Sequence, residues 1–411
     1  MRRRLAWSAA VLGGMAISVA LVATTWTATP QAPQGLLTGP GWRTTVNVAG
    51  PVPRGPAADA AWLSLGSVPG KGTRWQEMGR TALLDLHQLS RPSGAVAAGA
   101  AARWNYAWPR DTAFVAVALA RTGHQGEALK ALTFLQSVQL DSGGFEARYL
   151  LDGSGTPDGR ARQSDGAGWA LWAAQEVSRS CADASALRTM RPLLDNATSF
   201  ALAATDGGRQ LPQASPDYWE VGVGRTSLGT VAPLLAGLQA SQKMYAALGE
   251  RALAERSGAA ASRLRTTVGE RFDDGWERFG SGKGRDDGGL DAALTFLMPP
   301  FAQSPSRQVV AAWVLYQSDA LRPAGGLAPG SHWRHDGISW TPETALVAYT
   351  AAMSGRREMS AHWMDWLSAH RPAGGSLPEK VLDTGAPAGP APIAWTAALV
   401  VLTAAELETP G

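Results

Sequence analysis

Two glutamates occupy positions at which a carboxyl group can act as an acid or a base. The first, Glu220, lies in the segment PDYWEVG (216–222), between Trp219 and Val221. Apolar neighbours limit the solvation of a carboxylate, which raises its pKa and keeps it protonated near neutral pH. General-acid catalysis requires a protonated group of this kind. The sequence therefore predicts that Glu220 is a general acid.

The second glutamate, Glu379, lies in the glycine-flanked loop GGSLPEKV (374–381), next to Lys380. Glycines allow a loop backbone to be fixed close to a ligand, and an adjacent ammonium helps to keep a carboxylate ionised. An ionised carboxylate suits a general base. A solvated loop glutamate is the plainer interpretation of this segment alone, so its pairing with Glu220 decides the hypothesis.

Aromatic and charged side chains are concentrated in two further segments. The stretch RWNYAWPRD (103–111) places Trp108 beside the pair Arg110 and Asp111. Paired donors and acceptors next to flat aromatic faces are typical of sugar recognition, because a sugar offers both hydroxyls and an apolar ring face. The stretch QSDGAGW (163–169) contains Asp165, for which helix capping is the alternative interpretation.

The elements that must position these residues are helical almost throughout from residue 62. Apolar spacing and Gly/Pro punctuation predict twelve helices, near 75–89, 110–122, 125–139, 164–180, 183–204, 226–248, 249–271, 289–297, 304–319, 341–354, 355–371 and 392–407. Short connections alternate with long ones, which predicts an all-α six-hairpin (α/α)6 barrel with one elaborated end. A plain bundle or a solenoid is the alternative, but a solenoid requires a repeat period and none is evident.

In such a barrel the sixth and twelfth helices lie opposite one another. Glu220 precedes the sixth helix and Glu379 precedes the twelfth, so the two carboxyl groups are expected to face each other across the barrel mouth. Two carboxyl groups about 6.5–9.5 Å apart, with room for a water, are typical of inverting glycoside hydrolysis.

Composition excludes several other classes of protein. With 45% hydrophobic and 17% charged residues among 411, the chain is neither disordered nor collagen-like. Its single cysteine, Cys181, excludes an intramolecular disulfide, and the six histidines show no metal-ligand spacing, so we expect no metal and no cofactor. Arg2, Arg3 and Arg4 account for the net charge of +3, which leaves no basic stripe for nucleic acid.

The same three arginines precede a run from Leu5 to Trp26 that contains no charge. This pattern predicts an export element, and its length favours an uncleaved membrane anchor over a cleaved signal peptide. We therefore divide the chain into a signal anchor or signal peptide (1–28), a Pro/Gly/Ala-rich linker (29–61) and a catalytic barrel (62–411). The barrel is expected outside the cytoplasm, held at the membrane or secreted.

Taken together, these motifs resemble glycoside hydrolase family 15, the glucoamylase and glucodextranase family, over roughly residues 75–408. WPRD (108–111), QSDG (163–166), DYWE (217–220), LPEK (377–380) and PIAW (392–395) occur in the family's order. The resemblance implies exo-acting, inverting hydrolysis of α-glucosidic bonds, with Glu220 as general acid and Glu379 as general base. It also implies substrate contacts from Trp108, Arg110, Asp111, Asp165, Asp217 and Trp219.

Two departures from the family pattern leave other functions open. Many family members carry a second acid after the catalytic one, where this chain has Val221, and the loop 325–340 differs from the family's arginine-containing loop. A catalytically silent carbohydrate-binding protein and another α/α-barrel enzyme such as a polysaccharide lyase are the alternatives. The partner expected in each case is a carbohydrate, here an α-glucan or α-glucoside, and we expect a monomer.

Overall fold

The computed structural model describes residues 56–180, 185–280 and 288–408, and these residues are mainly helical. The helices are α1 (Pro56–Leu63), α2 (Gln76–Leu89), α3 (Pro109–Arg121), α4 (Gln125–Val138), α5 (Asp165–Ser180), α6 (Ser185–Thr189), α7 (Arg191–Ala204), α8 (Leu228–Ala247), α9 (Arg251–Phe272), α10 (Arg307–Asp319), α11 (Thr341–Met353), α12 (Arg357–Ala369) and α13 (Ala394–Glu408). Two 3₁₀ helices, η1 (Asp206–Gly208) and η2 (Ala292–Leu297), complete the helical set.

Six of these elements form a closed inner ring. Each packs against the next in the order α3, α5, α8, η2, α11, α13 and back to α3. An outer layer covers the ring, with α4, α7, α9, α10, α12 and α2 packed against the same six elements in turn. The predicted (α/α)6 barrel is therefore confirmed.

Burial follows from this two-layer arrangement. In α3 every residue from Pro109 to Ala120 is buried, and in α11 every residue from Thr341 to Ala352 is buried. A helix that is apolar all round belongs inside a large core, whereas an outer helix needs only one apolar stripe. The outer helix α2 shows such a stripe, with exposed polar residues on its other face.

Three boundaries differ from the prediction. The segment near 289–297 forms the short 3₁₀ helix η2, which Asp291 caps by accepting a hydrogen bond from the Ala293 N–H. The segment 183–204 is divided into α6 and α7, because Pro192 in the first turn of α7 lacks the N–H that a continuous helix needs. Helix α1 begins at Pro56, so residues 56–61, at the end of the predicted linker, are helical.

The loops before the inner helices meet at one end of the barrel. Isolated β-bridges join Ala107 to Tyr149 and Gly99 to Ile393. A small antiparallel sheet of β1 (Ser339–Trp340), β2 (Lys380–Val381) and β3 (Pro387–Ala388) pairs Trp340 with Lys380. Glu379 is consequently fixed next to the start of α11.

The predicted export element, residues 1–28, and the linker as far as residue 55 lie outside the described residues. Across residues 56–180, 185–280 and 288–408, no helix combines the length and apolar character needed to cross a bilayer.

Candidate active site

Three hydrogen-bond donors from two loops hold the Glu220 carboxylate. Its Oε1 accepts from Trp108 Nε1 and Gln163 Nε2, both at 2.8 Å, and its Oε2 accepts from Arg160 Nη1 at 2.5 Å. The side chain is 1% exposed. The backbone of Glu220 has φ 57°, a left-handed conformation that is uncommon outside glycine and persists only where the surroundings fix it.

The Glu220 side chain is buried, but charged and polar groups, and not its apolar sequence neighbours, lie against its carboxyl. The Trp219 ring packs against the Arg278 guanidinium at 3.8 Å and the Trp333 ring at 4.7 Å, instead of covering the carboxyl. A second guanidinium, that of Arg110, lies 3.7 Å from Glu220 Oε1. Neighbours in sequence did not predict neighbours in space, because consecutive side chains of a tight turn point in different directions.

The first turn of α3 supplies a buried guanidinium among three carboxyl groups. Arg110 is 1% exposed, and its nitrogens lie 3.2 Å from Asp111, 3.9 Å from Asp165 and 3.7 Å from Glu220. Within the described part of the chain, none of its three nitrogens has a partner with hydrogen-bond geometry. Such unused donors are costly in a protein interior and need an explanation.

The two carboxyl groups beside Arg110 hold protons more tightly than usual. Burial raises the pKa of Asp165 to about 7 and that of Asp111 to about 6, while the Arg110 charge opposes both shifts. Asp165 also accepts a hydrogen bond from Trp169 Nε1 at 3.1 Å. Near neutral pH this cluster can therefore exchange protons.

Glu379 lies immediately before β2 and is 1% exposed, with Oε2 2.8 Å from Lys380 Nζ. Its N–H donates to Pro390 O, and its own carbonyl accepts from the Thr341 N–H, so two loops fix its backbone. Burial raises the pKa of Glu379, whereas Lys380 and Trp104 lower it. Apart from the ion pair with Lys380, neither oxygen has a hydrogen-bond partner among the described residues.

The structure brings the two glutamates to the same end of the barrel. Glu220 precedes α8 and Glu379 precedes α13, and these helices are three positions apart in the six-membered inner ring. Arg110 approaches Glu220, and the charge of Asp111 is close enough to Glu379 to raise its pKa. The first turn of α3 thus connects the two carboxyl groups.

Asp217 is placed differently from the other predicted substrate contacts. It is fully buried, and its oxygens accept hydrogen bonds from Arg278 Nη2 at 2.7 Å, Ser227 Oγ at 2.5 Å and the Trp219 N–H at 3.0 Å. Arg278 donates in turn to Asp291 at 2.7 Å. These contacts favour a role for Asp217 in positioning the Glu220 turn, because its acceptors already have protein partners.

The two predicted tryptophan walls are also occupied by protein groups. Trp108 donates to Glu220 and lies with its ring 4.9 Å from the Arg148 guanidinium. Trp219 is 8% exposed and is packed against Arg278 and Trp333. Both rings therefore offer little free surface to a sugar in this conformation.

Sequence reasoning missed two residues of this cluster. Glu343, in the first turn of α11, is fully buried, and burial raises its pKa to about 8, with the charges of Glu379 and Asp291 adding to the shift. The order Trp, Pro, acid in 340–343 repeats that in 108–111 and was a usable signal. Arg160 lies in a Gly/Pro-rich loop that carries no such signal.

Replacing Glu343 with glutamine is expected to change how stability depends on pH. The folded-state pKa lies above that of an unfolded glutamate, so the stabilisation is complete below about pH 4 and is lost as the pH rises through about 8. Glutamine cannot ionise, so the melting temperature of Glu343→Gln should gain a few degrees on the wild type between pH 5 and pH 9. Glu358→Gln, at an exposed position of α12, is the control. A difference that does not change with pH would contradict this account.

Within the described ranges, no group of three or more His, Cys, Asp and Glu side chains is arranged to hold a metal ion.

Comparison with solved structures supports the fold. A glycosidase variant in complex with glucose aligns with a TM-score of 0.70 and 22% identity, covering 81% of this chain and 96% of that one. A bacterial glucoamylase complexed with acarbose aligns with a TM-score of 0.69 and 16% identity, over 85% of this chain and 57% of that one. The glucoamylase from Saccharomycopsis fibuligera gives 0.66 and 14% identity, over 85% and 95%.

The chain has the glucoamylase-like (α/α)6-barrel fold. No protein-family model matches the chain, and no curated protein is significantly similar to it in sequence. Identities of 14–22% establish the fold alone, so assignment to glycoside hydrolase family 15 remains a resemblance based on the motifs.

Proposed function

We propose that this protein is an exo-acting, inverting glycoside hydrolase that cleaves α-glucosidic bonds at the non-reducing end of its substrate. One observation carries the proposal. Among the described residues, Arg110, Asp111 and Glu379 hold six buried polar atoms that, beyond the ion pairs Arg110–Asp111 and Glu379–Lys380, have no hydrogen-bond partner, at the barrel end that also holds Glu220.

A sugar can form hydrogen bonds with these atoms through its hydroxyl groups, whereas an apolar ligand cannot. Arg110 offers N–H donors, whereas Asp111 Oδ2 and both Glu379 oxygens offer acceptors. Each unsatisfied buried group costs about 1–3 kcal/mol, and hydroxyl groups can both donate and accept. The glycosidase and glucoamylase with the same fold bind glucose and acarbose, which supports this interpretation.

The enclosure of the site favours attack on a chain end. Glu379, Arg110 and Asp111 are each 1% exposed, so a long polysaccharide cannot pass across them. The proposed binding mode places a terminal sugar among these residues, with the rest of the substrate directed outward past the loops. The glucoamylases among the structural neighbours support the choice of an α-glucoside.

The proposed reaction divides the proton transfers between the two glutamates. Glu220 gives its proton to the glycosidic oxygen as the bond from that oxygen to the anomeric carbon breaks. Glu379 takes a proton from the water that forms the new bond on the opposite face, so the configuration inverts. Arg110 and Asp111 hold the sugar during the reaction, and Lys380 opposes the effect of burial on the pKa of Glu379.

The place of action is proposed from the sequence alone. The basic and uncharged segments within residues 1–28 support export, with the barrel outside the cytoplasm as an anchored or secreted domain.

The activity is tested by incubating the purified full-length protein with maltose, isomaltose, trehalose, malto-oligosaccharides and dextran, and measuring released glucose. Release from at least one of them is expected. Binding of these sugars without release would instead support the carbohydrate-binding alternative, and unsaturated products from an acidic polysaccharide would support the lyase.

A further inference from the structure

Arg160 contacts the Glu220 oxygen Oε2, whereas the other oxygen, Oε1, is held by two different donors. Glu220 Oε1 already accepts two hydrogen bonds, from Trp108 and Gln163, whereas Oε2 accepts from Arg160 Nη1 at 2.5 Å. A general acid must come within about 2.6–3.2 Å of the oxygen that it protonates. The glycosidic oxygen and the Arg160 guanidinium therefore compete for the same place.

The loop keeps Arg160 close after it is displaced from Glu220. Its Nε lies 3.2 Å from Asp158 Oδ2, and its guanidinium lies 5.8 Å from the Trp108 ring. Asp158 and Arg160 are two residues apart in the loop between α4 and α5. A displaced Arg160 side chain consequently remains on the side of Glu220 where the leaving group lies.

The guanidinium of Arg148 lies beside that of Arg160, and the two share Asp158 as a partner. Arg148 is 7% exposed, contacts the same Asp158 Oδ2 and stacks 4.4 Å from the Tyr106 ring. Its Nε has no hydrogen-bond partner within the described chain, and neither does Asp158 Oδ1. Burial lowers the pKa of Arg148, and the neighbouring charge of Arg160 adds to that effect.

The net charge around Arg160, Arg148 and Asp158 becomes more positive when Glu220 is protonated. Protonation of Glu220 removes the negative charge from a carboxylate that Arg160 contacts, and it leaves Asp158 facing both guanidiniums. The residue after Glu220 is the apolar Val221, which supplies no further carboxylate. A leaving group with an oxyanion would replace the lost charge and could accept paired hydrogen bonds from the arginines.

We propose that Arg160 and Arg148 form an anion-binding subsite for the leaving group, so that the preferred substrate is an α-glucoside whose leaving group carries a carboxylate or a phosphate. This inference rests on the proposed glycosidase activity. Arg160 then has two positions, on Glu220 without substrate and on the anionic group with substrate.

Three glucosides that differ only in the end of the leaving group test the inference. They are carboxymethyl α-D-glucoside, 2-phosphoethyl α-D-glucoside and the neutral 2-hydroxyethyl α-D-glucoside. The wild-type kcat/KM should be at least about tenfold higher for one of the anionic glucosides than for the neutral one, which corresponds to one additional charge-assisted contact. The better of the two anions identifies the group recognised.

Variants separate recognition from a merely structural role. Arg160→Gln and Arg148→Gln should each bring the anionic-to-neutral ratio of kcat/KM towards one, and Arg160→Lys should retain part of the preference. Arg162→Gln is the matched control, because Arg162 lies on the same loop with a side chain that is 65% exposed and pairs with Glu146. The wild-type ratio is expected in that variant.

The two ways of failing are distinguishable. Equal kcat/KM for the anionic and neutral glucosides, or an unchanged ratio in Arg160→Gln, would overturn the anionic subsite and leave the glycosidase in place. Hydrolysis of no α-glucoside at all would overturn the proposed function and this inference with it.

Discussion

Replacing Glu379 with glutamine is expected to lower kcat for every α-glucoside by about 10²–10⁴-fold, because the attacking water then has no base. The substitution preserves shape, and the glutamine carbonyl can still accept a hydrogen bond from Lys380, which lies 2.8 Å from the carboxylate. The measurement is the initial rate of glucose release at saturating substrate, together with the melting temperature to verify folding.

The matched control is Glu358→Gln, which makes the same chemical change at an exposed position of α12. Its activity should equal that of the wild type. A near-normal kcat in a folded Glu379→Gln protein would contradict the role of Glu379 as general base and therefore the proposed mechanism.

Replacing Glu220 with glutamine is expected to give a loss that depends on the leaving group. Hydrolysis of maltose-type bonds should fall by about 10²–10⁴-fold, because an alkoxide leaves poorly without a proton. Hydrolysis of α-D-glucosyl fluoride should stay within about tenfold of the wild type, since fluoride departs without protonation. Glu379→Gln should lose activity on both substrates.

This comparison also decides which glutamate is the acid. In the structure Glu220 contacts hydrogen-bond donors, and it is Glu379 whose pKa burial raises. If fluoride hydrolysis survived in Glu379→Gln and was lost in Glu220→Gln, the two roles would have to be exchanged.

Much of the architecture could be predicted because it depends on local patterns. The inner helices α3 and α11 begin after Trp-containing loops, with Pro109 and Pro342 in the first turn, and both are apolar all round. Such features are visible in single segments. The positions of the loops that carry Glu220 and Glu379 could be predicted from the order of the helices.

What could not be predicted depends on contacts between distant segments. Arg160 and Glu220 are sixty residues apart, and nothing in the loop's composition indicates their ion pair. Asp217 had the residue type of a substrate contact, but Arg278 from another loop occupies its oxygen. Tertiary packing determines which groups surround a carboxyl group. The sequence neighbours of Glu220 therefore did not predict its contacts with Arg160 and Gln163.

The configuration of the sugar that is released first tests the paired roles of Glu220 and Glu379. Proton NMR of the full-length protein mixed with α-D-glucosyl fluoride, and with the best substrate of the sugar panel, resolves the anomeric proton before mutarotation mixes the two anomers. β-Glucose is expected to appear first, because water activated by Glu379 attacks the face opposite the leaving group. Initial release of α-glucose would contradict the paired roles of Glu220 and Glu379.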